Sequence, residues 1–194
     1  MHVVIALGGN ALVSPDEPIS AEAQRRKVSE TARALEHIMR NHRVTMTHGN
    51  GPQVGLLAMR SDTAHDDEPA YPLDVLGAES QAMIGYIIEQ ELRNVLDGDQ
   101  VAMLLTQVVV NQNDTAFKNP TKPIGPNYTE QEGQRLKEER GWAMTEKNGK
   151  LRRIVPSPLP ERIVEIDTIK RLVDEGVVVI CAGGGGVPVT LDQS

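Results

Sequence analysis

Three glycine-bearing loops carry the chemical potential of this sequence: Gly8-Gly9-Asn10, Gly49-Asn50-Gly51 and Gly183-Gly184-Gly185-Gly186. Each follows an apolar or β-branched stretch. Without Cβ atoms, such loops let a ligand approach main-chain N–H groups, and positive φ angles carry no steric cost. Consecutive amides there can form a concavity for phosphate or carboxylate. One glycine pair alone reads as a plain turn, but three such loops in 194 residues favour an anion site. Pro52 fits the first position of a helix, whose free N-terminal amides would face the same anion.

The common nucleotide signatures are absent. No G-x-G-x-x-G or Walker A spacing occurs, which argues against a dinucleotide oxidoreductase and a P-loop NTPase. No activated nucleophile is evident either. Ser157 sits between prolines outside a G-x-S-x-G context, and His48 lacks an obvious carboxylate partner and reads better as a structural histidine. Phosphoryl transfer tolerates that lack, because it needs positioning and charge neutralisation more than covalent chemistry. Lys118 and Lys122 are the candidate cations, in the proline-bounded segment Phe117-Lys118-Asn119-Pro120-Thr121-Lys122-Pro123-Ile124-Gly125-Pro126. A solvated surface role is the ordinary alternative for both.

The elements that must position these loops follow an α/β alternation. His2-Val3-Val4-Ile5-Ala6-Leu7 is a strand, and Ser20 can cap the helix after it. Val28, Ala32, Leu35 and Met39 recur there at helical spacing, up to Asn41-His42. Residues 43–47 form a second strand, giving a parallel, right-handed βαβ unit. A helix over 53–60 and an acidic loop over 61–72 precede a long helix over 73–96. Its apolar face (Leu76, Ile84, Ile87, Ile88, Leu92, Val95) with the small residues Gly77, Ala78, Ala82 and Gly85 is either buried against the sheet alone or also pairs two subunits. Residues 101–110 are nearly all apolar and predict one strand covered on both faces. Residues 111–153 break the pattern with a polar, proline-containing excursion. Within it, Thr129 and Glu132 can form a capping box, and Asn148-Gly149 marks a hairpin turn. Residues 156–160 lead back to an amphipathic helix over 163–176, with Ile166, Ile169 and Leu172 inward, and a last strand over 177–182.

The expected architecture is a three-layer αβα sandwich around a mainly parallel sheet. Residues 1–110 and 154–194 make its main lobe, and 111–153 a protruding subdomain or lid. If the strands are parallel, all three loops share the carboxyl edge of the sheet, where open α/β sheets bind ligands.

A net charge of −7, with no basic cluster or aromatic ladder, argues against a nucleic-acid partner. Cys181 lies in an apolar strand and allows no intrachain disulfide, compatible with a reducing cytosol. The first apolar run lacks a basic leader and is a strand, not a signal peptide. No stretch approaches the ~18 uninterrupted apolar residues of a membrane span. The expected location is cytoplasmic.

Five blocks then carry a resemblance. Ala6-Leu7-Gly8-Gly9-Asn10-Ala11-Leu12, Thr47-His48-Gly49-Asn50-Gly51-Pro52-Gln53-Val54-Gly55, Gly77-Ala78-Glu79-Ser80-Gln81-Ala82-Met83-Ile84-Gly85-Tyr86, Thr121-Lys122-Pro123-Ile124-Gly125-Pro126 and Gly183-Gly184-Gly185-Gly186-Val187-Pro188-Val189 together resemble the carbamate kinases, within the amino-acid-kinase fold. The Thr-Lys-Pro-Ile-Gly-Pro block separates them from related kinases that share only the Gly-Gly loop. The resemblance implies a homodimer that transfers a phosphoryl group between carbamoyl phosphate and ADP, giving ATP and carbamate, with Mg²⁺. It implies that Gly8, Gly9 and Asn10 hold the transferring group and that Gly49, Asn50 and Gly51 hold the carbamate end. Lys122 would reach the phosphate, and Gly183 and Gly184 would line the cleft. The family continues into a lobe with the adenine pocket, an organising aspartate and a further lysine, and Asp192 lies too close to the tetraglycine to be that aspartate. Two expectations follow: an enzyme read in its acceptor half, its sheet incomplete and its nucleotide lobe missing, or a truncated, non-catalytic anion-binding dimerisation module.

Overall fold

The computed structural model describes residues 1–14, 17–63, 70–98 and 100–191. In chain order the main lobe begins with β1 (His2–Leu7), the single turn α1 (Gly9–Leu12), α2 (Ala21–Asn41), β2 (Arg43–His48), α3 (Gly51–Thr63), α4 (Leu73–Val95), β3 (Val101–Met103) and β4 (Gln107–Val110). The excursion holds β5 (Lys122–Tyr128), α5 (Glu130–Arg140), β6 (Met144–Lys147) and β7 (Lys150–Val155). The chain then returns through β8 (Pro160–Ile163), α6 (Ile166–Asp174), β9 (Val178–Ile180) and β10 (Val187–Val189).

Four strands form a parallel sheet in the order β1-β2-β9-β3. Period-two alternation decides which helices cover which face. Val178 and Ile180 of β9 join Val44 and Met46 of β2 in a core closed by Val28, Ala32 and Met39 of α2 and Ile84, Ile88 and Leu92 of α4. The alternate residues Val177, Val179 and Cys181 face the other way, onto Ile169 and Val173 of α6. Helices therefore cover both faces, as the αβα expectation requires. Ser20 caps α2 by accepting from the Ala23 amide at 3.1 Å. In α4, Gly85 faces the sheet: a Cβ there would stand 2.4 Å from the Met103 Cγ. Val75, Ala82 and Tyr86 of the same helix are exposed.

The apolar run over 101–110 is not one strand. It breaks at Leu104-Leu105-Thr106, with β3 in the large sheet and β4 in a second sheet of order β10-β4-β8. At the break, Thr106 donates its amide to Gln81 Oε1 and accepts at its carbonyl from Gln81 Nε2, both at 3.0 Å. A buried side chain thus replaces the ladder at the Thr106 amide and shares the Thr106 carbonyl with the Val187 amide, which hydrophobicity alone does not signal. Two more expectations change. The helix placed over 163–176 is shorter, because Pro160–Ile163 pair antiparallel with β4 as β8. The helix placed over 53–60 runs from Gly51 to Thr63, so Pro52 is its second residue. The middle of the expected acidic loop and Asp192 lie outside the described residues.

The excursion is a three-stranded sheet, β5-β7-β6, with α5 alongside. Its local signals behave as read: Thr129 and Glu132 form the capping box, and Asn148 (φ 53) and Gly149 (φ 70) turn the hairpin. The segment expected to be a proline-held loop is instead the edge strand β5, antiparallel to β7. Edge strands accommodate proline, since an outward position needs no ladder donor. Ile124 and Val155 share a small core with Val54, Leu57 and Ala58 of α3 and Leu76 of α4. This seat admits no side chain at Gly55, where a Cβ would fall 2.0 Å from the Gly125 Cα.

Alanine for glycine inside a helix ordinarily gains about 1 kcal/mol. At Gly55 the backbone overlap wins, and Gly55→Ala is expected to destabilise by about 2–3 kcal/mol. Urea unfolding checks the sign: a midpoint that rises would mean that β5 lifts easily off α3.

Candidate functional site

The three glycine loops leave the carboxyl edges of three neighbouring parallel strands, as expected. Leu7 and His48 are register partners, so Gly8 and Gly49 emerge side by side. The β9 end is tied to β2 by Thr47 Oγ1, which donates to the Ala182 carbonyl at 2.9 Å. A Cβ at Gly8, Gly9, Gly49 or Gly51 would meet nothing within 4 Å, so open space lies beside each. Positive φ is not the reason for the first pair: neither Gly8, at φ −72, nor Gly9 adopts one. Gly9 and Asn10 sit exposed in the first turn of α1, and Gly51 opens α3; amides at such positions have no carbonyl one turn back. The Gly49 amide is different, because it donates to the Leu7 carbonyl at 3.1 Å. Asn50 and Gly51 are left as the amide donors of that loop.

The tetraglycine turn is built from beneath. Gly184 has φ +64, and a Cβ on it would stand 2.3 Å from the Asn50 Cγ. Asn50, itself buried, donates from Nδ2 to Ser80 Oγ at 2.8 Å. A Cβ on Gly183 would stand 2.5 Å from His48 Cε1. The glycines therefore serve close packing on the β2 loop as well as any ligand. From above, Lys122 Nζ, at the start of β5, donates to the Gly184 carbonyl at 3.2 Å.

A cavity of about 290 Å³ lies against this contact. Asn50, Lys122, Gly183 and Gly184 line it, with an apolar wall from Val108, Val110, Ile124 and Val155. Gly8, Gly9, Asn10, Gly49 and Gly51 do not line it. The expected site residues thus form two groups, a pair of loop mouths outside the cavity and a lysine–tetraglycine group that lines it, joined through Asn50. Lys118 is exposed and outside the lining, whereas Ser157 is part of it. Sequence reading missed Gln81, Asp74 and Phe117 in the wall and Ser80 and Thr106 behind it. For Ser80 and Gln81 a signal existed: two adjacent polar residues on the apolar side of a helix, now 0% and 1% exposed. Among the described residues, no group of three or more His, Cys, Asp or Glu could hold a metal ion.

The amino acid kinase family model matches residues 1–192. The chain belongs to this family. Among curated relatives of the family, it is 53% identical over 194 residues to the carbamate kinase of Haemophilus influenzae, covering all of this chain and 62% of that one. It is 50% identical over 200 residues to the carbamate kinase of Pyrococcus furiosus, covering 99% of this chain and 64% of that one. Among solved structures, carbamate kinase from Giardia lamblia bound to citric acid superposes with a TM-score of 0.92 at 40% identity, covering 99% of this chain and 64% of that one. The same protein bound to AMP-PNP gives 0.87 at 40% identity, covering 99% and 63%. The chain thus spans less than two thirds of the relatives it matches. No helix among its described residues is long and apolar enough to cross a membrane.

Two buried titratable groups lie close to the glycine loops. Burial pushes the Cys181 thiol up to about 11, so it remains a protonated apolar filler. Burial also lowers the His48 pKa, against a smaller opposing effect of the hydrogen bond to the Gly49 carbonyl. Nδ1 donates in that bond, at 3.0 Å, which fits the structural role read from the sequence. In the unfolded chain His48 takes up a proton near 6.5, whereas the folded chain resists it. The folded state is therefore favoured in full above that pH and loses stability as pH falls from about 6.5 through the lower folded value. Denaturation at pH 7.5 and 5.5 should show a smaller acid loss in His48→Asn than in the parent; equal losses would remove His48 as the cause.

Proposed function

We propose that this chain is the acceptor-side lobe of a carbamate kinase. The reaction moves a phosphoryl group between carbamoyl phosphate and ADP: the bond from phosphorus to the carbamate oxygen breaks, and a bond to the terminal oxygen of ADP forms. The products are carbamate and ATP, and the reverse runs through the same contacts. The names of the relatives support the reading, and the observation that carries it is the meeting of Lys122 with Gly184 at 3.2 Å, between a cavity and the glycine loops.

Each residue has a task in this reading. Amides of Gly8, Gly9 and Asn10 bind the transferring phosphoryl oxygens, and those of Asn50 and Gly51 bind the carbamate end. Lys122 offsets charge that spreads over the phosphoryl oxygens as the old bond loosens, the kind of preorganised electrostatic help that contributes most to such transfers. Gly183 and Gly184 line the cavity beside Lys122 while packing on His48 and Asn50. Mg²⁺ commonly binds through substrate phosphates and would enter with the nucleotide; the described residues hold no group of three or more His, Cys, Asp or Glu for it. ADP is the second substrate. The exposed strip of Val75, Ala82 and Tyr86 on α4 is where a second copy would pair, in a cytoplasmic homodimer.

The test joins these 194 residues to the C-terminal third of a longer relative and supplies carbamoyl phosphate, ADP and Mg²⁺. The chimera is expected to form ATP, and the 194-residue polypeptide alone to form little. Lys122→Ala in the chimera should lower kcat by about 10²-fold. A chimera that binds carbamoyl phosphate without making ATP would overturn the reading in favour of an anion-binding module, and full turnover in Lys122→Ala would remove the lysine from it.

A further inference from the structure

Thr106 is fully buried, at the point where the chain passes from the large sheet to the small one. All of its polar groups are engaged. Its Oγ1 accepts from the Ala182 amide at 2.8 Å and donates to the Leu104 carbonyl at 2.8 Å. Its carbonyl accepts from the Val187 amide at 2.9 Å. Ala182 is the residue before the tetraglycine and Val187 the residue after it, so one threonine holds both ends of that turn. Gln81 in turn holds Thr106, through its amide and its carbonyl.

The turn needs such a clamp. Gly184, Gly185 and Gly186 all have positive φ, and runs of glycine lose more backbone freedom on ordering than any other residue. Between the two clamped ends, the Gly184 carbonyl is the acceptor that fixes Lys122 Nζ. A displacement at Ala182 or Val187 therefore moves the carbonyl, and the lysine with it.

We propose that Thr106, braced by Gln81, is a positioning residue: by clamping Ala182 and Val187 it sets the Gly184 carbonyl and so the place of the Lys122 amine in the cavity. The catalytic part of this inference rests on the carbamate kinase reading; the geometric part does not. Neither residue lies among the glycines and lysine that the sequence singles out.

Thr106→Val keeps the shape and removes the Oγ1 bonds, and Thr106→Ser keeps them. In the 194-residue chain, limiting acetic anhydride followed by peptide mass spectrometry reports the reactivity of Lys122, with the exposed Lys150 and Lys170 as internal references. Relative labelling of Lys122 should change about fivefold in Thr106→Val and remain at the parent value in Thr106→Ser. Equal labelling in all three, or Thr106→Ser behaving as Thr106→Val does, overturns the proposal. In the chimera, Thr106→Val should lower kcat about tenfold with little change in KM, and should add nothing on top of Lys122→Ala. Additive losses would mean that Thr106 acts on stability and not through Lys122. If the chimera makes no ATP, the kinase reading falls and the labelling alone decides the clamp. Should Thr106→Val fail to fold, Gln81→Met, which keeps the length, removes both bonds to Thr106 and adds no charge to the cavity wall, carries the same comparison with the same outcomes.

Discussion

A strand that leaves a sheet inside a protein must find new partners for its backbone N–H and C=O groups, because burying them unpaired costs about as much as a lost hydrogen bond. In this molecule that constraint falls on Thr106, between β3 and β4, and Gln81 answers it with both ends of one amide. The consequences spread outward from there. The chain can change sheets with the Thr106 backbone paired, so β4 is free to pair with β10 and β8. The tetraglycine turn, which crosses between the same two sheets from β9 to β10, runs beside the break and is held by it. The cavity then lies against that crossing, with Gln81 and the turn in one wall and the base of the excursion in another.

The α4 helix thus does more than cover the sheet. Ser80 takes the Asn50 side chain on one side, and Gln81 takes Thr106 on the next. Consecutive helical residues point about 100° apart, so a single turn reaches two different strand–loop junctions. The loop after β2 and the turn after β9 are fixed to the same rigid body. On the carbamate kinase reading this matters, because in phosphoryl transfer the gain comes from geometry held before the reaction begins. Loops that carried equal amides but floated independently would lose that gain to reordering.

The sequence made the parts with local causes legible. Ser20, the Thr129–Glu132 box and the Asn148-Gly149 turn act within a few residues of themselves, and each appears where the residues place it. The glycine loops were legible for a related reason: a missing Cβ is visible in the residue type itself. What failed was whatever a tertiary partner decides. An unbroken apolar run over 101–110 cannot say where its neighbour changes, and so one strand was expected where two exist. Pro123 and Pro126 argue against a central strand but not against an edge, and β5 is an edge. Thr106 and Gln81 are common residue types whose role exists only once Ala182 and Val187 are folded beside them. The Gly49 amide was misjudged in the same way, since only the pairing of β1 with β2 engages it.

The partner of Lys122 bears on what that lysine can do. Among the described residues it meets a neutral carbonyl and no carboxylate within ion-pair distance. A lysine paired with Asp or Glu would be held by a full opposite charge, and an arriving phosphate would have to compete with it. Against a carbonyl the charge is oriented yet not cancelled by a direct ion pair, so it can still act on an anion in the cavity. The mounting suits that arrangement. Lys122 begins β5, whose next residues bring Gly125 against Gly55 in backbone contact and bury Ile124 among side chains of α3 and α4. The amine approaches from an anchored strand on one side, and the carbonyl that receives it stands on a clamped turn on the other. Neither has to rely on the flexible lysine stem alone to find the other.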